Sequence, residues 1–299
     1  MNRKYETYTA MVVPFNEDES INYELYDRLC EMQINAKNNI VIPGTTGESP
    51  TLSHQEHKNL IERTVQLNQN RVKVVAGVGS NSTKEAIEFA EFAKRAGADL
   101  AMSVGPYYNK PSAEGHFEHH KIISEILPTM VYEIPARSGS AIGKEKLLEL
   151  LELEGVVSLK AAFGVTEDLT EILLNKPNNV AVYSGDDTLT HYMLAMGANG
   201  VVSVSSNLLP VQINEYISSY DGTDESLNKF RNIYGALKAN MAFGNPVTIK
   251  EAMYLFRDEL KISDFKPVVR RPLLRVNSNN SIKLEQMLRP YFKSVELGA

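Results

Sequence analysis

Short runs of β-branched and apolar residues recur along the chain near residues 8–13, 38–43, 72–77, 99–103, 129–134, 156–161, 179–183 and 199–204. Runs of this length and composition read as strands buried on both faces. Between them lie 22–36, 53–68, 82–96, 113–126 and 143–153, where apolar residues fall at helical spacing. Start signals such as Ser82-Thr83-Lys84-Glu85 have the pattern of a capping box. Eight strands alternating with helices predict a closed (β/α)8 TIM barrel, an α/β fold. An open doubly wound sheet would call for a GxGxxG turn after an early strand, and the chain has none. From about residue 224 the alternation gives way to helical patterns over 224–243, 247–259 with Pro246 at the start, and 282–294. The expected organisation is a barrel over 1–223 with a C-terminal helical extension over 224–299.

Composition narrows the function classes. The 299 residues are 43% hydrophobic and 23% charged, as in soluble globular proteins. A net charge of -6 offers no basic field for phosphodiester backbones or anionic lipid, so neither nucleic acid nor membrane is an expected partner. The N-terminus lacks an apolar targeting core, and no run approaches the roughly 18 apolar residues of a membrane span, which predicts a cytoplasmic protein. The single cysteine, Cys30, excludes an intrachain disulfide and stands in a helical pattern, where it packs as a small hydrophobe.

Barrel enzymes assemble their sites at the C-terminal ends of the strands, and the reactive residues gather there. Gly44-Thr45-Thr46-Gly47-Glu48 follows the second run, Tyr107-Tyr108 the fourth, and Tyr132 ends the fifth. Lys160 ends the sixth, Gly185-Asp186-Asp187 follows the seventh, and Ser203 to Asn207 follow the eighth. Lys160 is the costliest of these, because burying an ammonium forfeits several kcal/mol of hydration and lowers its pKa. At an unperturbed pKa of about 10.4 only roughly one lysine in 2,500 is neutral at pH 7, so burial is a route to a nucleophilic amine. The alternative is a lysine whose stem packs while its head reaches water. With Lys160 inward, alternation turns Val157, Leu159 and Ala161 to the helix layer and aims Met130, Tyr132 and Ile134 into the barrel. A phenol beside an amine can then carry protons to and from carbon and oxygen. Arg137 extends from the same rim as a bidentate partner for a carboxylate, while Asp186 and Asp187 repel a phosphate from the seventh loop. His116, His119 and His120 share a helix at i, i+3 and i+4 but lack an acidic or cysteine partner, and no metal site is expected.

These residues resemble the pyruvate-dependent Schiff-base aldolases, within the N-acetylneuraminate lyase superfamily, and among them the dihydrodipicolinate synthase (4-hydroxy-tetrahydrodipicolinate synthase) family. The resemblance runs through Val13-Pro14-Phe15, GTTGES at 44–49, GPYYNKP at 105–111, VYEIPARSG at 131–139, LKAAFG at 159–164, YSGDD at 183–187 and GVVSVSSN at 200–207. It implies a homotetrameric lyase that needs no cofactor beyond a covalent imine, condensing pyruvate with L-aspartate semialdehyde on the diaminopimelate route to lysine. By the same resemblance Lys160 forms the imine and Thr45 holds the pyruvate carboxylate. Tyr132 is the principal proton donor and acceptor, linked through Thr46 to Tyr108, which reaches in from a neighbouring subunit. Arg137 supports the relay and receives the semialdehyde carboxylate, and Gly185 and the Val202 carbonyl line the pocket. Lysine-inhibited members bind L-lysine through residues matching Ser49, His54, His57, Asn81, Glu85 and Tyr107, with Pro50 departing from a common alanine.

The chain also departs from the family pattern near its centre. Glu133 stands for a usual asparagine, Ala161 for a usual glutamate and Phe163 for a small polar residue, while Arg271-Pro272-Leu273-Leu274 only approximates Arg-Leu-Pro-Leu. Enzymes that cleave N-acetylneuraminate or 2-keto-3-deoxy sugar acids share the lysine, the tyrosine and the GxTGE turn. The paired tyrosines, Arg137 and the second aspartate favour the synthase, and a sugar-acid aldolase and a catalytically silent metabolite-binding barrel are the competing readings.

Overall fold

The structure, a computed structural model, describes residues 5–293; Met1 to Lys4 and everything from 294 on, including the end of the last predicted helix, lie outside the described residues. Strands β1 (Glu6–Ala10), β2 (Asn39–Ile42), β3 (Val74–Gly77), β4 (Leu100–Val104), β5 (Thr129–Glu133), β6 (Val156–Ala161), β7 (Ala181–Ser184) and β8 (Gly200–Ser203) pair in parallel in chain order. The pairing of β8 with β1 closes the barrel. Around it run α1 (Tyr23–Asn35), α2 (His54–Asn68), α3 (Thr83–Ala96), α4 (Ala113–Ser124), α5 (Pro135–Ser138), α6 (Lys144–Leu151), α7 (Glu167–Asn175), α8 (Thr190–Ala195) and α9 (Pro210–Ser218). Then follow α10 (Asp224–Asn240), α11 (Val247–Leu255) and α12 (Ser278–Lys293). Among the described residues no helix is long and apolar enough to cross a membrane. Cys30 is buried, and burial pushes its thiol up to about 12.

Alternation along the strands sorts two packing layers. Tyr8, Ala10, Val41, Val75, Met102, Met130, Tyr132, Tyr183 and Val202 fill the barrel, with Ile134 packed against them. Val131, Leu159, Ala161 and Val182 pack outward with Leu147, Leu150, Leu169 and Ile172 of the helices. Val157 breaks the expected pattern. Thr129 pairs with Val156 but Met130 with Ser158, so Val157 is the extra residue of a β-bulge. Val156 takes the helix-facing place, and Val157 lines the N-terminal end of the barrel instead.

The predicted capping box at Ser82 does not form either. The Ser82 N–H that a box would engage already donates to Ser80 Oγ at 3.0 Å, and the Glu85 carboxylate is held by Ser80 Oγ and by His54 Nε2. The box belongs to α2, where Ser53 Oγ accepts from Glu56 N and Glu56 Oε2 from Ser53 N.

Two polar clusters hold the ends of the barrel, the first partly exposed and the second buried. At the N-terminal end Glu6 accepts from Tyr183 Oη at 2.6 Å, Tyr8 Oη at 3.2 Å and Lys73 Nζ at 2.8 Å. Burial pushes the Glu6 carboxyl up, but these donors outweigh it and leave the carboxyl below its ordinary value. A cleft of about 1000 Å³ opens at this end and holds none of the candidate catalytic residues. At the other end Lys250 of α11 pairs with Glu48, both fully buried. Lys250 Nζ also donates to Val268 O at 3.0 Å, and Glu48 Oε2 accepts from Arg270 N at 2.9 Å. Desolvation lowers the Lys250 amine to about 8 against the pull of Glu48. The C-terminal helices are thereby fastened to the turn carrying Thr45 and Thr46. Removing one partner strands a buried charge, so Lys250→Met is expected to cost about 3–5 kcal/mol in urea unfolding. The double variant Lys250→Met, Glu48→Gln is expected to recover most of that loss.

Candidate active site

Lys160 is the direct ladder partner of Tyr132 on β5 and of Tyr183 on β7. It is 6% exposed, and its Nζ stands 3.9 Å from the centroid of the Tyr132 ring. Desolvation lowers the amine to about 7; Asp187 pulls it upward and Arg137 pushes it down. The lysine therefore does not reach water, and the apolar lining of a closed barrel keeps much of it neutral near pH 7. Burial pushes the Tyr132 phenol up to about 12, with Arg137 working against that shift, so the phenol holds its proton at neutral pH and can donate it.

Gly185 permits this crowding. A side chain there would place its Cβ 2.7 Å from Ala162 Cβ and 3.2 Å from Lys160 Cε, so any larger residue displaces the lysine or its strand. Val202 is buried in the same interior cluster. Asp187 is buried too, its Oδ2 accepting from Val204 N at 3.1 Å and Ser205 N at 2.8 Å. Its charge reaches Lys160 from the seventh loop, an influence on the amine that sequence reasoning did not assign to it.

Thr46 is buried, and its Oγ1 accepts from Asn245 Nδ2 at 3.0 Å. Arg137, exposed on the rim, donates from Nη2 to the carbonyl of the same Asn245 at 3.2 Å. Asn245 thus bridges two candidate residues from the loop before α11. Sequence reasoning missed it; the only signal was the Asn-Pro pair, read there as a helix start. Tyr108 holds a left-handed backbone, φ 72°, and its side chain is 89% exposed. Within a single chain it projects away from Lys160 and Thr46 rather than joining them.

A cleft of about 400 Å³ continues from Thr45 and Arg137 past Ser49, His54, His57, Glu85 and Tyr107. His54 Nε2 lies 2.7 Å from Glu85, and His57 is buried, stacked on Phe89 and bonded through Nε2 to Gly77 O. Burial lowers the His57 imidazole to about 4. Asn81 is exposed beside this cleft, and its carbonyl accepts from Asn109. The three histidines of α4 are buried with their rings against one another, but each has its own partner: His116 bonds Ser140, His119 bonds Thr83 and His120 bonds Ser103. Burial lowers all three imidazoles. Among the described residues no cluster of three or more His, Cys, Asp or Glu is placed to hold a metal ion.

Three departures from the family pattern, Glu133, Ala161 and Phe163, also meet in space. Glu133 and Ala161 are partners across the β5–β6 ladder, so a carboxylate sits on β5 where its neighbour on β6 has none. Phe163 and Glu133 line one cavity of about 220 Å³ on the outer side of the barrel.

Comparison with known proteins agrees with this geometry. Residues 5–290 match the Dihydrodipicolinate synthetase family. A 4-hydroxy-tetrahydrodipicolinate synthase of Chlorobium chlorochromatii is 40% identical over 252 residues, 82% of this chain and 84% of that protein. The dihydrodipicolinate synthase of Acinetobacter baumannii, crystallised with pyruvate, superposes with a TM-score of 0.89 at 30% identity, covering 96% of this chain and 98% of that one. That of Cyanidioschyzon merolae, crystallised with lysine bound, has a TM-score of 0.89 at 31% identity, covering 97% and 98%. The chain belongs to the dihydrodipicolinate synthetase family.

Proposed function

We propose that this chain is a 4-hydroxy-tetrahydrodipicolinate synthase, a Schiff-base lyase that condenses pyruvate with L-aspartate semialdehyde. The observation that carries the reading is Lys160, buried beside Tyr132 at the C-terminal end of a closed barrel with its amine lowered to about 7. The neutral amine adds to the pyruvate carbonyl; loss of water leaves the imine, and loss of a methyl proton gives the enamine. The enamine carbon attacks the aldehyde, and the amino group of the semialdehyde displaces Lys160 as the ring closes. Tyr132 supplies and removes the protons of these steps. Thr46, whose oxygen is occupied as an acceptor by Asn245, has its own hydroxyl proton free to pass on.

Thr45 meets the pyruvate carboxylate in this reading, and Arg137 meets that of the semialdehyde as a bidentate partner. Gly185 and Val202 shape the pocket. Tyr108, projecting from its own chain, completes the relay of a neighbouring subunit in a homotetramer, and the enzyme works in the cytoplasm without a cofactor other than the imine. L-lysine acts as feedback inhibitor in the cleft of Ser49, His54, His57, Asn81, Glu85 and Tyr107, where Glu85 would meet an ammonium.

Six measurements test these assignments. Borohydride reduction with pyruvate is expected to leave an adduct on Lys160, absent in Lys160→Met; no adduct on the wild type would sink both aldolase readings. Turnover with aspartate semialdehyde, compared with cleavage of sialic acid and 2-keto-3-deoxy sugar acids, separates the synthase from the aldolase. A lysine whose folded pKa is depressed binds fewer protons folded than unfolded between about 7 and 10.4, so its burial destabilises most at low pH. Imine formation is therefore expected to quicken as pH rises through about 7 and then level off, and Lys160→Met to raise unfolding free energy at pH 7. Tyr132→Phe is expected to lower kcat by roughly 10²–10⁴ while pyruvate still adds. Calorimetric titration with millimolar L-lysine is expected to show binding, weakened by Glu85→Gln; no heat of binding would remove the inhibitory site.

A further inference from the structure

Glu133 follows Tyr132 directly but points the other way, out of the barrel, and is only 4% exposed. Its Oε1 accepts the backbone N–H of Ile142 at 2.9 Å, closing residues 134–142 into a loop. That loop contains α5 and therefore carries Arg137. It also holds Tyr108, whose backbone N–H donates to Ser138 O at 3.3 Å. The loop is further tied within itself, Ser138 Oγ donating to Ser140 O at 2.7 Å, and to α4 through His116 and Ser140. One side-chain bond thus closes the segment on which two of the residues proposed for catalysis depend.

The other carboxylate oxygen, Oε2, is buried without a partner and the side chain lines the cavity shared with Leu147, Phe163 and Ile172. Of the charged groups around this cavity, Lys144 from α6 is drawn to Glu171 at 2.5 Å, with Asp168 and Glu145 each at 3.8 Å. Asp168 from α7 lines it as well, Arg137 from α5 turns to Asn245, and α4 contributes His116 only through Ser140. On β6 the partner is Ala161. No cation therefore neutralises Glu133 among these neighbours, and burial pushes its carboxyl up to about 7 against the bond from Ile142.

Resting on the synthase reading above, we infer that Glu133 is a positioning residue: by holding Ile142 it sets the loop that presents Arg137 to the second substrate and that supports Tyr108 for the neighbouring subunit. Ionised, it accepts a charge-assisted bond from Ile142; protonated, it accepts a weaker one. The grip on the loop loosens as pH falls through neutrality, and the binding of the semialdehyde carboxylate loosens with it.

Steady-state kinetics at saturating pyruvate test this, because Lys160 is then held as the imine and its free amine no longer titrates. In the wild type, KM for aspartate semialdehyde is expected to rise as pH falls from 8 to 6. Glu133→Gln keeps an acceptor oxygen without the charge, so its KM is expected to sit near the raised value wild type reaches at pH 6 and to lose the pH dependence. Glu133→Ala opens the loop and is expected to raise that KM roughly tenfold or more, with an unchanged yield of the borohydride-trapped pyruvate adduct. A wild-type KM in Glu133→Ala, a wild-type pH profile in Glu133→Gln, or a matching loss of pyruvate adduct in Glu133→Ala would each overturn the assignment. A wild type that traps pyruvate but does not turn over the semialdehyde fails at the substrate reading instead, before any variant is compared, and withdraws this inference with it.

Discussion

Closure of the eight-stranded sheet is the constraint from which the site follows. With β8 bonded to β1 the sheet has no edge, and its inner face becomes a packed, dry interior. A lysine placed at the upper end of that interior loses hydration it cannot recover by snorkelling, and its proton becomes weakly held near neutral pH. The same closure brings Tyr132 and Tyr183 to flank Lys160, one on each adjacent strand. They are used differently. Tyr183 hands its hydroxyl to Glu6 and helps close the floor, whereas Tyr132 lies under the lysine Nζ.

The mouth of the barrel is not built by the barrel alone. Glu48 stands next to the Thr45-Thr46-Gly47 turn, and its buried partner is Lys250, some two hundred residues along the chain. Asn245, five residues before that lysine, touches both Thr46 and Arg137. The C-terminal helices therefore hold the acceptor side of the proposed relay in one orientation. A buried ion pair is a poor source of net stability, and here it joins α11 to the turn that carries Thr45 and Thr46.

Behind the mouth, a negative charge stands on β5 and none on the facing rung of β6. The register pairs Glu133 with Ala161, so the carboxylate found after the tyrosine has no counterpart after the lysine. That leaves Lys160 with Asp187 as the acidic influence upon it, and gives the loop of Arg137 a side-chain clasp. Lys160 and the loop of Arg137 thus answer to different carboxylates.

The sequence by itself determined the barrel, because eight apolar runs separated by amphipathic helices admit few other closed packings, and it determined which strand ends carry reactive groups. Alternation was enough to aim Lys160 and Tyr132 inward together. It failed at Val157, because a bulge is a property of two strands in register and leaves no mark on one. It failed also at Ser82, where a competing bond from Ser80 took the N–H that local pattern assigned to Glu85. Asn245, the Glu48–Lys250 pair and the clasp at Glu133 were decided only by the tertiary structure. Each depends on two segments distant in sequence, or on opposite sides of a turn, meeting within hydrogen-bond reach, and that distance is set by packing rather than by local pattern.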